Sequence, residues 1–130
     1  MTRNVHAMSQ RISLPYTKPP LSLNDRLHWR TKARLTKTIR SVVEALARAA
    51  RLKPVEGHAT VTLHYQPRDN RRRDADNLYA TVKPCLDGLR DAGVLRDDSA
   101  DLVTPLVHIH LAVKGEPARL WVTIREGERP

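Results

Sequence analysis

Polar and apolar residues alternate in four stretches of the chain and recur at helical spacing in two longer ones. Arg11-Ile12-Ser13-Leu14 alternates and ends at Pro15, which predicts a short first strand. Tyr16 to Asp25 contains Pro19 and Pro20, which disfavour helix and central strand, so it reads as a loop leading into His28-Trp29-Arg30. From Thr31 to Leu52 the period changes. Leu35, Ile39, Val42, Val43, Leu46, Ala47 and Ala50 fall three or four apart, one apolar stripe of an amphipathic helix that Lys53-Pro54 ends. Ala59 to Tyr65 alternates again, with Val61, Leu63 and Tyr65 on one side and Thr60, Thr62 and His64 on the other. After a polar connection from Gln66 to Arg73, a second helix is expected from Asn77 to Ala92, with Leu78, Val82, Leu86 and Leu89 as its apolar side. Pro84 inside it predicts a kink, or a short first turn followed by the main helix from Val82, and Gly93 is a natural terminator. Val103 to Val113 and Leu120 to Ile124 alternate as two strands, with Lys114-Gly115-Glu116-Pro117 between them as an expected hairpin turn. The order is β-α-β-α-β-β: an α/β (α+β) domain in which two main helices pack on one small mixed sheet.

At 130 residues the chain is expected to form a single domain, with residues 1–9 and 126–130 loose at its ends. Phe is absent, so the core must be built mainly from Leu, Val, Ile and Ala. Lys and Arg number 23 against 14 Asp and Glu, a net charge of +9, which suits a polyanionic partner or serves solubility alone. One cysteine, Cys85, excludes an internal disulfide and a Cys-rich zinc site and fits a reducing compartment; it reads as a small buried hydrophobe. No apolar run approaches the length of a membrane span and no secretory signal is seen, so no membrane and a cytoplasmic location are expected.

The chemistry concentrates in Arg71-Arg72-Arg73-Asp74-Ala75-Asp76-Asn77, with Asp97-Asp98 further on. In an extended segment Asp74 and Asp76 share a side, so both carboxylates can face one cation. Oxygen ligands without clustered Cys or His favour Mg²⁺ or Mn²⁺ over zinc. The competing reading makes Asp76 or Asn77 a helix cap and Asp97-Asp98-Ser99 an ordinary turn. A D-x-D pair alone carries little weight; three adjoining arginines and the basic balance add to it. Arg30 just ahead of the first helix, and Lys32, Arg34 and Lys37 on it, could follow a phosphate backbone or form a solvated face. Trp29 and Tyr79 suit base stacking or the core. His108 and His110, one residue apart on an expected strand, suit metal ligation or, more commonly, a surface or packing role.

Arg72-Arg73-Asp74-Ala75-Asp76-Asn77, Lys83-Pro84-Cys85-Leu86-Asp87-Gly88-Leu89 and Ala92-Gly93-Val94-Leu95-Arg96-Asp97-Asp98 together resemble the RusA family of Holliday junction resolvases. Leu14-Pro15, the prolines before Asn24, and His28-Trp29-Arg30 are similar to that family's N-terminal part. The resemblance implies a RusA-like fold and a homodimeric, Mg²⁺-dependent endonuclease, with Mn²⁺ as a substitute, that makes paired nicks in four-way branched DNA. It implies an acidic catalytic and metal site at Asp74, Asp76 and Asp98, with Asp97 beside them as a further candidate ligand. The family lysine that assists cleavage stands four before the helix aspartate, which selects Lys83 ahead of Asp87. In better-known members it follows the Asp-Asn pair by three, where this chain has Ala80. Arg71, Arg72 and Arg73, with the basic residues of the first helix, are the DNA contacts the reading implies.

Overall fold

A computed structural model of the protein describes residues 9–97 and 101–127. The elements are β1 (Ser9–Leu14), α1 (Trp29–Ala49), β2 (His58–Gln66), a 3-10 turn (Ala75–Leu78), α2 (Tyr79–Asp91), β3 (Val103–Ile109) and β4 (Arg119–Gly127). Four strands form one mixed sheet in the order β1-β4-β2-β3, with the two helices packed on it. The α+β architecture expected from the alternation is therefore the one observed.

Alternation decides which face each strand buries. Val61, Leu63 and Tyr65 of β2, Leu120, Val122 and Ile124 of β4, and Ile12 and Leu14 of β1 point into one core with Ile39, Val43 and Ala47 of α1 and Val82, Cys85, Leu86 and Leu89 of α2. The other face carries Thr60, Thr62, His64, Thr123, Arg125 and Arg11, half-buried or exposed. Burying apolar area on one side only explains why an antiparallel pair with a polar outer face is stable here.

The two helices meet closely at Gly88. A methyl group there would stand 2.6 Å from the Arg40 carbonyl oxygen and 2.8 Å from Val43 Cβ, so only glycine permits this approach. Arg40 then reaches the end of α2, its Nε and Nη2 donating to the two Asp91 carboxylate oxygens at 2.5 and 2.9 Å.

Several boundaries differ from the sequence expectation. α1 begins at Trp29, where His28 Nδ1 accepts from the Arg30 N–H at 3.1 Å, and it ends before Leu52 because Arg51 takes left-handed backbone (φ 54°). The turn ahead of α2 is 3-10, and the α-helix starts at Tyr79 and runs on through Pro84. β3 ends at Ile109, not Val113, while β1 takes in Ser9 and β4 takes in Glu126 and Gly127. The expected hairpin between the last two strands is absent. Gly115 does make a tight turn (φ 84°), but β3 pairs in parallel with β2, and β4 crosses to the far side of β2 to lie between it and β1. Two parallel strands need a crossover, and α2 supplies it.

Candidate functional site

β2 delivers the chain to the acidic segment at its C-terminal end. Asp74 is extended (φ −96°, ψ 115°), and its Oδ1 accepts from the Asp76 N–H at 3.0 Å, capping the 3-10 turn. The cap is thus Asp74 rather than Asp76 or Asn77. Both carboxylates are exposed, and Asp76 has no side-chain partner among the described residues. The proline loop closes over this turn from the side: Leu23 N–H donates to the Asn77 carbonyl at 3.1 Å, and Leu21 exchanges two hydrogen bonds with the buried Thr81 hydroxyl.

The arginine run is organised by Asp69, which the sequence did not single out. Arg71 grips the Asp69 carboxylate through Nε and Nη2 at 3.2 and 3.0 Å, and Arg73 donates to the same group at 3.0 Å. These bonds, led by the Arg71 guanidinium, hold the Asp69 carboxyl well below the usual carboxylate range. Arg73 also lies over the Tyr65 ring, 5.7 Å from its centre, so part of its role is structural. Arg72 is exposed and has no ion-pair partner among the described residues. Together Lys18, Arg68, Arg71 and Arg73, with Asp69 as the one acid, line a cleft of about 520 Å³.

On α1, Arg30, Lys32, Arg34 and Lys37 are all exposed. Trp29 is 67% exposed, with the Arg30 guanidinium 5.1 Å from its ring centre, so it does not belong to the core. Tyr79 is half-buried against the core. A groove of about 410 Å³ lies between the helices, bounded by Trp29, Lys32, Lys37, Arg40 and Asp87.

The other elements of the expected site lie apart. Asp97 follows α2, near Val94, whose carbonyl accepts from Val55 ahead of β2. α2 has 13 residues and rises about 20 Å, which sets the scale of the Asp76–Asp97 separation within one chain. Asp98 lies outside the described residues. Lys83 is seven residues past Asp76, roughly 10 Å along the axis, and its Nζ stands 3.3 Å from Asp87 Oδ1.

A second constellation joins His108 and His110, which the sequence offered as possible ligands, to His64, which it did not. Among the described residues, His64, His108 and His110 bring ligand nitrogens within 4.8 Å of one another. The parallel register pairs His64 with His108, and His110 follows β3 with its N–H on the Tyr65 carbonyl. His64 Nδ1 is 2.8 Å from His110 Nε2, and His64 Nε2 is 2.8 Å from Thr123 Oγ1. Trp121 stacks on His64 at 5.0 Å between ring centres and 2° between planes. Burial first, then the neighbouring His110, His108 and Arg11, pushes the His64 imidazolium down to about 4. The i, i+2 spacing of His108 and His110 was a visible signal; that His64 completes a cluster depends on which strand lies next to β3. The expectation of no clustered histidine is corrected accordingly.

No protein-family profile matches the chain. It is 32% identical over 112 residues to an uncharacterized protein of Xylella fastidiosa, an alignment spanning 82% of this chain and 72% of that relative, and it belongs to the same family as that protein. Among the described residues no helix is long and apolar enough to cross a membrane.

Proposed function

We propose that the protein is a RusA-type endonuclease that acts as a homodimer on branched DNA, with the four-way junction as its first substrate. The observation that supports this best is that two exposed carboxylates, Asp74 and Asp76, directly follow in the chain the Arg71–Arg73 run, of which Arg71 and Arg73 line a cleft with Lys18 and Arg68. Phosphates held in that cleft would lie on the segment that leads into the acids.

The donor set fits Mg²⁺ or Mn²⁺. Mg²⁺ needs only one or two carboxylates, completing its shell with water and substrate phosphate, and Asp76 has both oxygens available while Asp74 uses one as a cap. When bound, such an ion would lower the pKa of a water and offset charge on the phosphodiester. Arg68 and Arg72 would fix the DNA backbone. The Asp69 carboxylate would keep Arg71 and Arg73 in place. Lys83, held by Asp87, would approach the site only after leaving that pair.

Because α2 separates the two acidic segments, the Asp98 contribution is assigned to the second copy. An isologous dimer presents two such shared sites to the two opposed strands of a junction.

Junction cleavage in Mg²⁺ tests the reading. Asp76→Asn should lower the rate about a thousand-fold, equivalent to roughly 4 kcal/mol of lost charge stabilisation, and leave junction binding intact or tighter. A heterodimer of one Asp76→Asn chain and one Asp98→Asn chain keeps one intact site if sites are shared, and should nick one strand; an inert heterodimer refutes the sharing. The Asp74 cap favours a second reading, a basic DNA-binding protein whose acids are purely structural. Such a protein would bind junctions and cut nothing in either cation, and a nuclease preferring flaps would cut those first.

A further inference from the structure

We propose that His64, His108 and His110 form a binding site for a late first-row divalent cation, Zn²⁺ being the expected occupant, on the sheet face opposite the helices. No residue of the nuclease reading takes part, so the two stand or fall separately.

Three features argue for it. The cluster comes from the fold, since His64 and His108 face each other across the parallel β2–β3 pair and His110 is tied to Tyr65 by its backbone. Three imidazoles with no carboxylate among them form a donor set that suits Zn²⁺, Ni²⁺ or Cu²⁺ rather than Mg²⁺. The outer contacts are those a ligating histidine needs. With His64 Nε2 donating to Thr123 Oγ1, Nδ1 directs its lone pair toward His110, and Trp121 stacked on the ring fixes its plane.

The adjustment required is small. Two imidazole nitrogens on one tetrahedral zinc, each about 2.0–2.1 Å from it, stand roughly 3.3 Å apart. The His64–His110 contact at 2.8 Å must open by about half an ångström, with the proton between the rings moving to the other nitrogen of His110. His108 is exposed on an edge strand and can swing inward. Three protein ligands leave a fourth position to solvent.

Trp121 provides the readout. In a Trp29→Tyr background it is the only tryptophan, and Co²⁺ bound at the cluster should quench it at one equivalent. The same titration should develop the visible absorption of four- or five-coordinate Co²⁺, and Zn²⁺ should reverse both signals. His108→Ala and His110→Ala, each checked for native circular dichroism, should abolish saturable quenching. Thr123→Val should weaken it about ten-fold as an outer-contact loss. His58→Ala should leave it unchanged. Co²⁺ affinity in the His108→Ala or His110→Ala protein equal to the parent's, or no saturable quenching in the parent, overturns the proposal.

Discussion

Gly88→Ala isolates the close approach of α1 and α2. The added methyl would meet the Arg40 carbonyl oxygen at 2.6 Å and Val43 Cβ at 2.8 Å. One obstacle is backbone in the middle of α1, so no side-chain rotation relieves it; the helices must separate. Overpacking of this kind costs about 1–3 kcal/mol, and here the upper end applies because the obstacle is rigid. Alanine's better helix propensity returns up to about 1 kcal/mol. The net loss is then about 2 kcal/mol, which for a domain of this size lowers the thermal midpoint by roughly 6–10 °C. Urea unfolding followed by circular dichroism and by tryptophan fluorescence measures it. Gly57→Ala is the control, since the nearest atom there, Glu126 Oε2, is 3.9 Å away. A Gly88→Ala protein as stable as the parent would refute the reasoning, because the close approach would then not exist in solution.

Thr81→Val removes a buried hydroxyl that both accepts from Leu21 N–H and donates to the Leu21 carbonyl, so it should cost about 1–3 kcal/mol and loosen the proline loop, while Thr81→Ser should recover most of the loss. Chemical denaturation gives the energy, and proteolysis within residues 16–28 gives the loosening. Burial pushes the Cys85 thiol up to about 12 from an ordinary 9.0. The stability tied to its neutral form is therefore complete below about pH 9 and lost as pH rises toward 12. A disulfide reagent at pH 8 should leave the native thiol unmodified and titrate one thiol after unfolding; modification of the native protein at the rate of a free thiol contradicts this. Arg68→Ala and Arg72→Ala should each weaken junction binding uniformly and reduce the salt slope by about one, measured by anisotropy across a salt series. An unchanged slope removes that arginine from the phosphate path.

Period-2 and period-3.6 patterns are local, so the strands and helices were legible almost residue by residue in β2 and α1. Strand adjacency is not local. The turn around Gly115 was visible in the sequence, yet whether its flanking strands pair is decided by the whole sheet, and β2 and β4 were the better partners for burying both sets of apolar residues. The candidate site divides the same way. Asp74 and Asp76 could be found from their spacing, and the separation from Asp97 follows from helix length once α2 is known to be unbroken. Asp69 escaped notice because an acid among arginines looks like a charge reduction, whereas here it sets their geometry. His64 escaped because alternation marks β3 as a strand but not that it lies next to β2.

The sheet order carries a consequence for how the molecule assembles. Among the described strands β4, the last of them in sequence, is the only one that pairs with β1, and it also flanks β2. β1 therefore has no strand to pair with until the far end of the chain has been synthesised, and the parallel β2–β3 pair must wait for its crossover helix. Such non-local pairings fold slowly, in milliseconds to seconds. Until then the backbone edge of β1 stays unpaired, and the docking of β4 joins both halves of the sheet in a single late step.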